Sequence, residues 1–112
     1  MVSKNVMQKA AKNMVRLNFN IKPKDVVLIT AGPKSLGFAE MLAYECSMVG
    51  AQPTISYGSD ELSLRIYKDI NPAFLKQKPR MGYSNLKVVN AEMHIDDSNP
   101  FVARQIPQKK IE

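Results

Sequence analysis

Apolar residues first recur along this chain at the spacing of a helix. Between Ser3 and Leu17 they fall at Val6, Ala10, Met14 and Leu17, with Met7 and Ala11 beside them. Steps of three and four keep one face apolar, so the segment is read as an amphipathic helix with Ser3 as its N-cap. Asn18, Asn20, Pro23 and Asp25 then break it. Val26 to Ile29 form a short continuous apolar run, which predicts a strand buried on both faces.

After Gly32 and Pro33 the helical period returns. Ser35 is placed to cap a helix whose inward side carries Leu36, Ala39, Leu42, Ala43, Cys46 and Val49. Glu40, Tyr44 and Ser47 make its wetter stripe, and Gly50 sits where a left-handed residue would end it. Thr54 to Tyr57 is the next strand. The order of strand, helix, glycine turn and strand is that of a βαβ unit. Gly58-Ser59-Asp60 supplies a turn and caps, and Leu62, Ile66 and Ile70 suit a further amphipathic helix. Asn71-Pro72 starts a short helix reaching about Lys78.

Residues 79–90 carry the weakest pattern, and "LKVV" fits a strand or a helix end equally. Ala91 to Asp96 alternates cleanly and is read as a strand. "DDSNP" reads as a turn, and Phe101 to Ile106 as the start of one more helix. Together these elements predict an α/β fold, a parallel sheet with flanking helices in three layers, flavodoxin-like or Rossmann-like. Three legible strands are few for such a sheet, so residues 1–112 are read as a single but incomplete domain.

The loop between the first strand and its helix, "AGPKSLGFAE", begins like a phosphate cradle. A P-loop needs lysine and a hydroxyl directly after its last glycine. Here Phe38 and Ala39 follow Gly37, and the dinucleotide pattern fails because Lys34 stands where its second glycine belongs. What remains is a weak anion contact at the helix N-terminus near Lys34 and Ser35. A strand-to-helix corner is the preferred reading.

Glu92, His94 and Asp96 alternate along one strand face and offer a nitrogen and oxygen set that zinc accepts. Yet His94 is the only histidine, and metal centres usually draw ligands from several elements. The three are read as a polar strand face rather than a metal site. Ser59 lacks the spacing of a nucleophile elbow and is read as a cap. No catalytic residue is assigned.

Composition narrows the classes further. At 112 residues the chain is 45% apolar and 23% charged, the balance of a soluble globular protein. No apolar run approaches the ~18 residues of a membrane span. One cysteine, Cys46, rules out an internal disulfide and fits a cytoplasmic origin. The formal charge of +6 raises nucleic acid as a partner, but the densest cluster, Arg104 with Lys109 and Lys110, has no aromatic interleaved. Nucleic acid is therefore not the expected partner, and neither is a membrane.

The order of pieces carries a resemblance. "LNFNIKPKDVVLI" before the first strand, "MLAYECSMVGAQP" ending in Gly50-Ala51, "ISYGSDEL" with Arg65 and Tyr67, and "MHIDDSNP" together resemble the N-terminal domain of the thermophilic metalloprotease family, the aminopeptidases T and S and PepS. The resemblance covers nearly the whole chain. It implies a metal-dependent aminopeptidase whose divalent ions, of the zinc or cobalt type, sit in a C-terminal domain absent here. No residue of this chain matches a family metal ligand. The expectation is a structural N-terminal segment that is not catalytic alone, with peptide as substrate only of the intact enzyme. A stand-alone, non-catalytic binding or oligomerisation module is the alternative; whether the reading frame continues past residue 112 separates the two. A truncated sheet exposes an edge and an apolar face, so a homo-oligomer, a dimer, is expected.

Overall fold

The computed structural model describes residues 3–77, 87–96 and 103–105. Its elements are helix α1 (Lys4–Asn13), strand β1 (Val26–Ala31), helix α2 (Leu36–Met48), strand β2 (Gln52–Tyr57), helix α3 (Asp60–Asp69), and strands β3 (Ala91–Ile95) and β4 (Ala103–Gln105). A π-helical turn, Met14–Asn18, prolongs α1, and a 3₁₀ turn, Pro72–Lys76, follows α3. The sheet runs β2-β1-β3-β4, with β1 parallel to both neighbours and β4 antiparallel to β3. The expected α/β architecture with a parallel sheet and flanking helices is present.

Ser3 caps α1 as expected, its hydroxyl accepting from the Val6 N–H at 3.3 Å. The buried face of α1 differs from the expected stripe. Ala11 and Val15 are fully buried, with Met7, Ala10 and Met14 against the core, while Val6 and Leu17 lie 57% and 76% exposed. Val15 follows Ala11 at i+4 and keeps to its face, while the wider π turn, in which Phe19 N–H donates to the Met14 carbonyl, turns Leu17 out.

Strand β1 is not buried equally on both sides. Val27, Ile29 and Ala31 are buried, whereas Val26, Leu28 and Thr30 are half-buried. The cause is one-sided cover: α2 lies against β1 and β2, and α1 packs on α2. Ala91, Met93 and Ile95 of β3 share the covered face with Phe38, Ala39, Leu42 and Cys46 of α2. Leu36, expected inward, is exposed at the start of α2, and Phe38 takes the core position instead.

Helix α2 ends as its glycine predicts. Gly50 has φ of 90°, its N–H reaches the Ser47 carbonyl, and Ala51 N–H reaches that of Cys46, both at 3.0 Å. Those two bonds make a Schellman motif. The Gly50 carbonyl in turn accepts from Lys24 N–H at 2.9 Å, which ties the helix end to the turn before β1.

Strand β2 is an edge of the sheet among the described residues. Gln52 N–H bonds to Asp25 and Gly58 N–H to Ala31, so the alternate residues Pro53, Ile55 and Tyr57 turn their nitrogens outward. Proline there has no donor to offer a foreign strand. Two segments farther along the chain differ from their expected form. Lys87 and Val88 form a turn and Asn90 a bend, so 87–90 are neither strand nor helix; the Asn90 side-chain carbonyl accepts from Val26 N–H at 2.7 Å. Ala103–Gln105, expected within a helix, pair with β3 as a strand; the turn expected at 97–100 lies outside the described residues. No helix among the described residues is long and apolar enough to cross a membrane.

Candidate functional site

A cleft of about 480 Å³ opens at the C-terminal ends of the parallel strands. It is lined by Thr30 and Ala31 at the end of β1, by Gly32 and Pro33 just beyond, by Gly58 to Asp60 and Ser63 around the start of α3, and by His94 to Asp96 at the end of β3. The place has a topological cause. From β1 the chain goes first to β2 on one side, and β3 later pairs on the other. Loops that leave in opposite directions leave a crevice between them, where open α/β sheets bind ligands.

Hydrogen bonding has already committed several polar groups at this cleft. Ser59 Oγ accepts from Leu62 N–H at 3.1 Å and so caps α3, as its place in the sequence predicts. Gly58 N–H holds the Ala31 carbonyl at 3.1 Å, which fixes the spacing of the two loops. Asp60 and Glu61 occupy the first turn of α3, where carboxylates offset the positive helix end. Such an N-terminus has less to give an incoming anion. Ala31 and Ile95 are buried beneath, while Asp60 and Asp96 are exposed at the rim and His94 is half-buried.

The loop around Lys34 and Ser35 is a closed corner. Gly32 N–H donates to Ser35 Oγ at 2.9 Å, and Ser35 N–H donates back to the Gly32 carbonyl at 3.3 Å. Ser35 is fully buried and makes no side-chain capping bond to α2, contrary to expectation. Its hydroxyl faces back along the chain because the turn consumes it. Lys34 is exposed; the cleft is lined by Gly32 and Pro33 of this loop, not by Lys34 or Ser35.

Glu92, His94 and Asp96 are divided by the fold. Glu92 lies buried beside Leu28 in the β1 register, His94 beside Thr30, and Asp96 beyond the end of β3. Only His94 and Asp96 of the three line the cleft. Cys46 is fully buried in α2, where burial and the neighbouring Glu45 carboxylate push its thiol up to about 11. A thiol held neutral in this way is a poor metal ligand. Among the described residues no group of three His, Cys, Asp or Glu side chains could hold a metal ion. This donor set does not fit a hydrolytic metal centre.

The sequence did not single out Thr30 or Ser63 for this cleft, since their meeting depends on strand order. The one signal available was the βαβ unit itself, whose strand ends mark where a crevice forms.

The family model described as thermophilic metalloprotease (M29) matches residues 3–112. No curated protein matches. Among solved structures, wild-type AmpT from Thermus thermophilus matches with a TM-score of 0.69 at 22% identity, over 83% of this chain and 25% of that one. At that identity the likeness is one of fold. The chain spans about a quarter of the length of that solved chain.

Proposed function

The chain belongs to the thermophilic metalloprotease family, and from that premise we propose that it is the N-terminal framework segment of a metal-dependent aminopeptidase. In this reading the metal centre, of the zinc or cobalt type, and the removal of N-terminal amino acids from peptides belong to a larger whole. The family match across residues 3–112 carries the proposal.

The segment's part is structural. Helices α1 and α2 on one sheet face make a rigid wall, and the open β2 edge with the unburied α3 offers surface for assembly as a homo-oligomer. Leu62, Ile66, Phe74 and Leu75 support this, each about half exposed. A cytoplasmic setting suits a protein whose one cysteine is a buried free thiol.

The test is direct. The purified chain, incubated with leucine p-nitroanilide and added zinc or cobalt, is expected to give no turnover above blank. Robust metal-dependent cleavage, abolished by chelator, would overturn the framework reading.

A further inference from the structure

The first 24 residues of this protein carry basic side chains and no acidic ones. Lys4, Lys9, Lys12, Arg16, Lys22 and Lys24 fall in the first 24 residues, and the first carboxylate of the chain is Asp25. Of 16 basic residues these six leave ten, against ten acidic residues, so the whole formal excess of +6 resides here.

The fold turns that excess outward. Ala11 and Val15 face the core, which leaves Lys9, Lys12 and Arg16, at i, i+3 and i+7, exposed on the opposite side of the helix. The stripe is roughly 10 Å long. Lys22 and Lys24 are exposed on the turn that follows, held in place by the Lys24 to Gly50 bond. The Asp25 carboxylate accepts from Lys22 N–H at 2.9 Å and lies at the turn; cations near a helix C-terminus also favour its dipole, but that role accounts for one or two of them and not for Lys9, Lys12 and Arg16 together.

Val6 and Leu17, at 57% and 76% exposure, stand at the two ends of the same helix. Phe19, the aromatic of this segment, is packed against the core and offers no ring for stacking a base. Val6 and Leu17 are eleven residues apart and not joined into the stripe that a membrane-lying helix inserts.

We propose that the outer face of α1 and its π turn is a docking surface for an acidic polypeptide segment bearing aliphatic side chains. Carboxylates would meet Lys9, Lys12 and Arg16, and an aliphatic residue would cover Leu17. Exposed ion pairs are individually weak, so the surface works through several at once and discriminates by charge.

The probe is a fluorescein-labelled peptide of glutamates with a leucine at every fourth position, followed by anisotropy against the full chain. Saturable binding at low salt is expected, weakening as ionic strength shortens the screening length to a few ångströms, about 3 Å at 1 M. The combined Lys9→Gln, Lys12→Gln and Arg16→Gln variant keeps helix propensity and is expected to bind about tenfold more weakly with an unchanged circular dichroism spectrum. Leu17→Ser is expected to weaken binding a few-fold. Absence of binding at low salt, or indifference to the triple substitution, overturns the proposal. So does an oligouridylate or a phosphatidylserine vesicle that binds the face more tightly than the peptide, with no effect of Leu17→Ser.

Discussion

Single residues decide where this fold turns, and Gly50 is the clearest of them. Its φ of 90° suits glycine, and a Cβ there would meet the Pro23 side chain at 3.4 Å. Gly50→Ala is expected to destabilise the chain by about 1–2 kcal/mol, read as a lower urea midpoint at constant slope. Gly37 is the contrast, since a Cβ there meets nothing within 4 Å. Gly37→Ala is expected to leave stability unchanged or raise it by up to about 0.5–1 kcal/mol. Cys46 makes a pH-dependent contribution. Its thiol titrates near 11 when folded, against 9.0 for the free group, so above pH 9 the unfolded chain loses a proton that the folded one keeps. Stability is therefore full below about pH 9 and falls as pH rises towards 11, by at most about 1.4 kcal/mol per unit. Cys46→Ala should remove that component in parallel denaturation series. Gly50 was legible because a helix end has a local chemical signature. Glu45 was not: it is buried because Gln8 Nε2, 37 residues earlier, donates to its carboxylate at 2.6 Å.

At the scale of elements, capping and burial are separate contributions, and α3 shows the difference. It has a serine cap, acidic residues in its first turn and Lys68 in its last, yet buries no residue. Ser59→Ala is expected to cost the helix about 1 kcal/mol. Because α3 adds nothing to the core, that loss should appear as faster amide exchange across residues 62–69 while the global unfolding midpoint stays put. Leu42, fully buried in α2, is the opposite case. Leu42→Ala is expected to cost about 2–5 kcal/mol in the same denaturation experiment. Helix positions along α1, α2 and α3 followed from periodicity. The facing of α1 did not, since the π turn shifts the period partway along it. Strand β4 was illegible for a related reason: three residues carry no period, and pairing with β3 makes them a strand.

Across the whole molecule, strand order creates both the cleft and the exposed surfaces. The cleft exists because β2 and β3 lie on opposite sides of β1. The homo-oligomer proposed above is expected to appear in light scattering as a mass above that of one chain. Ile66→Gln with Leu62→Gln is expected to lower that mass without lowering the unfolding midpoint, because neither side chain is buried. A clean monomer for the unsubstituted chain would contradict the assembly.

The order of residues by itself determined which segments become helices and strands, where Ser3, Ser59, Asn71 and Gly50 stop or start them, and that the elements alternate as an α/β protein. These follow from period and local hydrogen bonding, which act over a few neighbouring residues. Only the tertiary structure decided that β1 is covered on one side, that His94 and Asp96 share a cleft from which Glu92 is withdrawn, and that Lys9, Lys12 and Arg16 stand exposed opposite the buried Ala11 and Val15. Each of those depends on groups brought together from distant parts of the chain, and no local pattern records such a meeting.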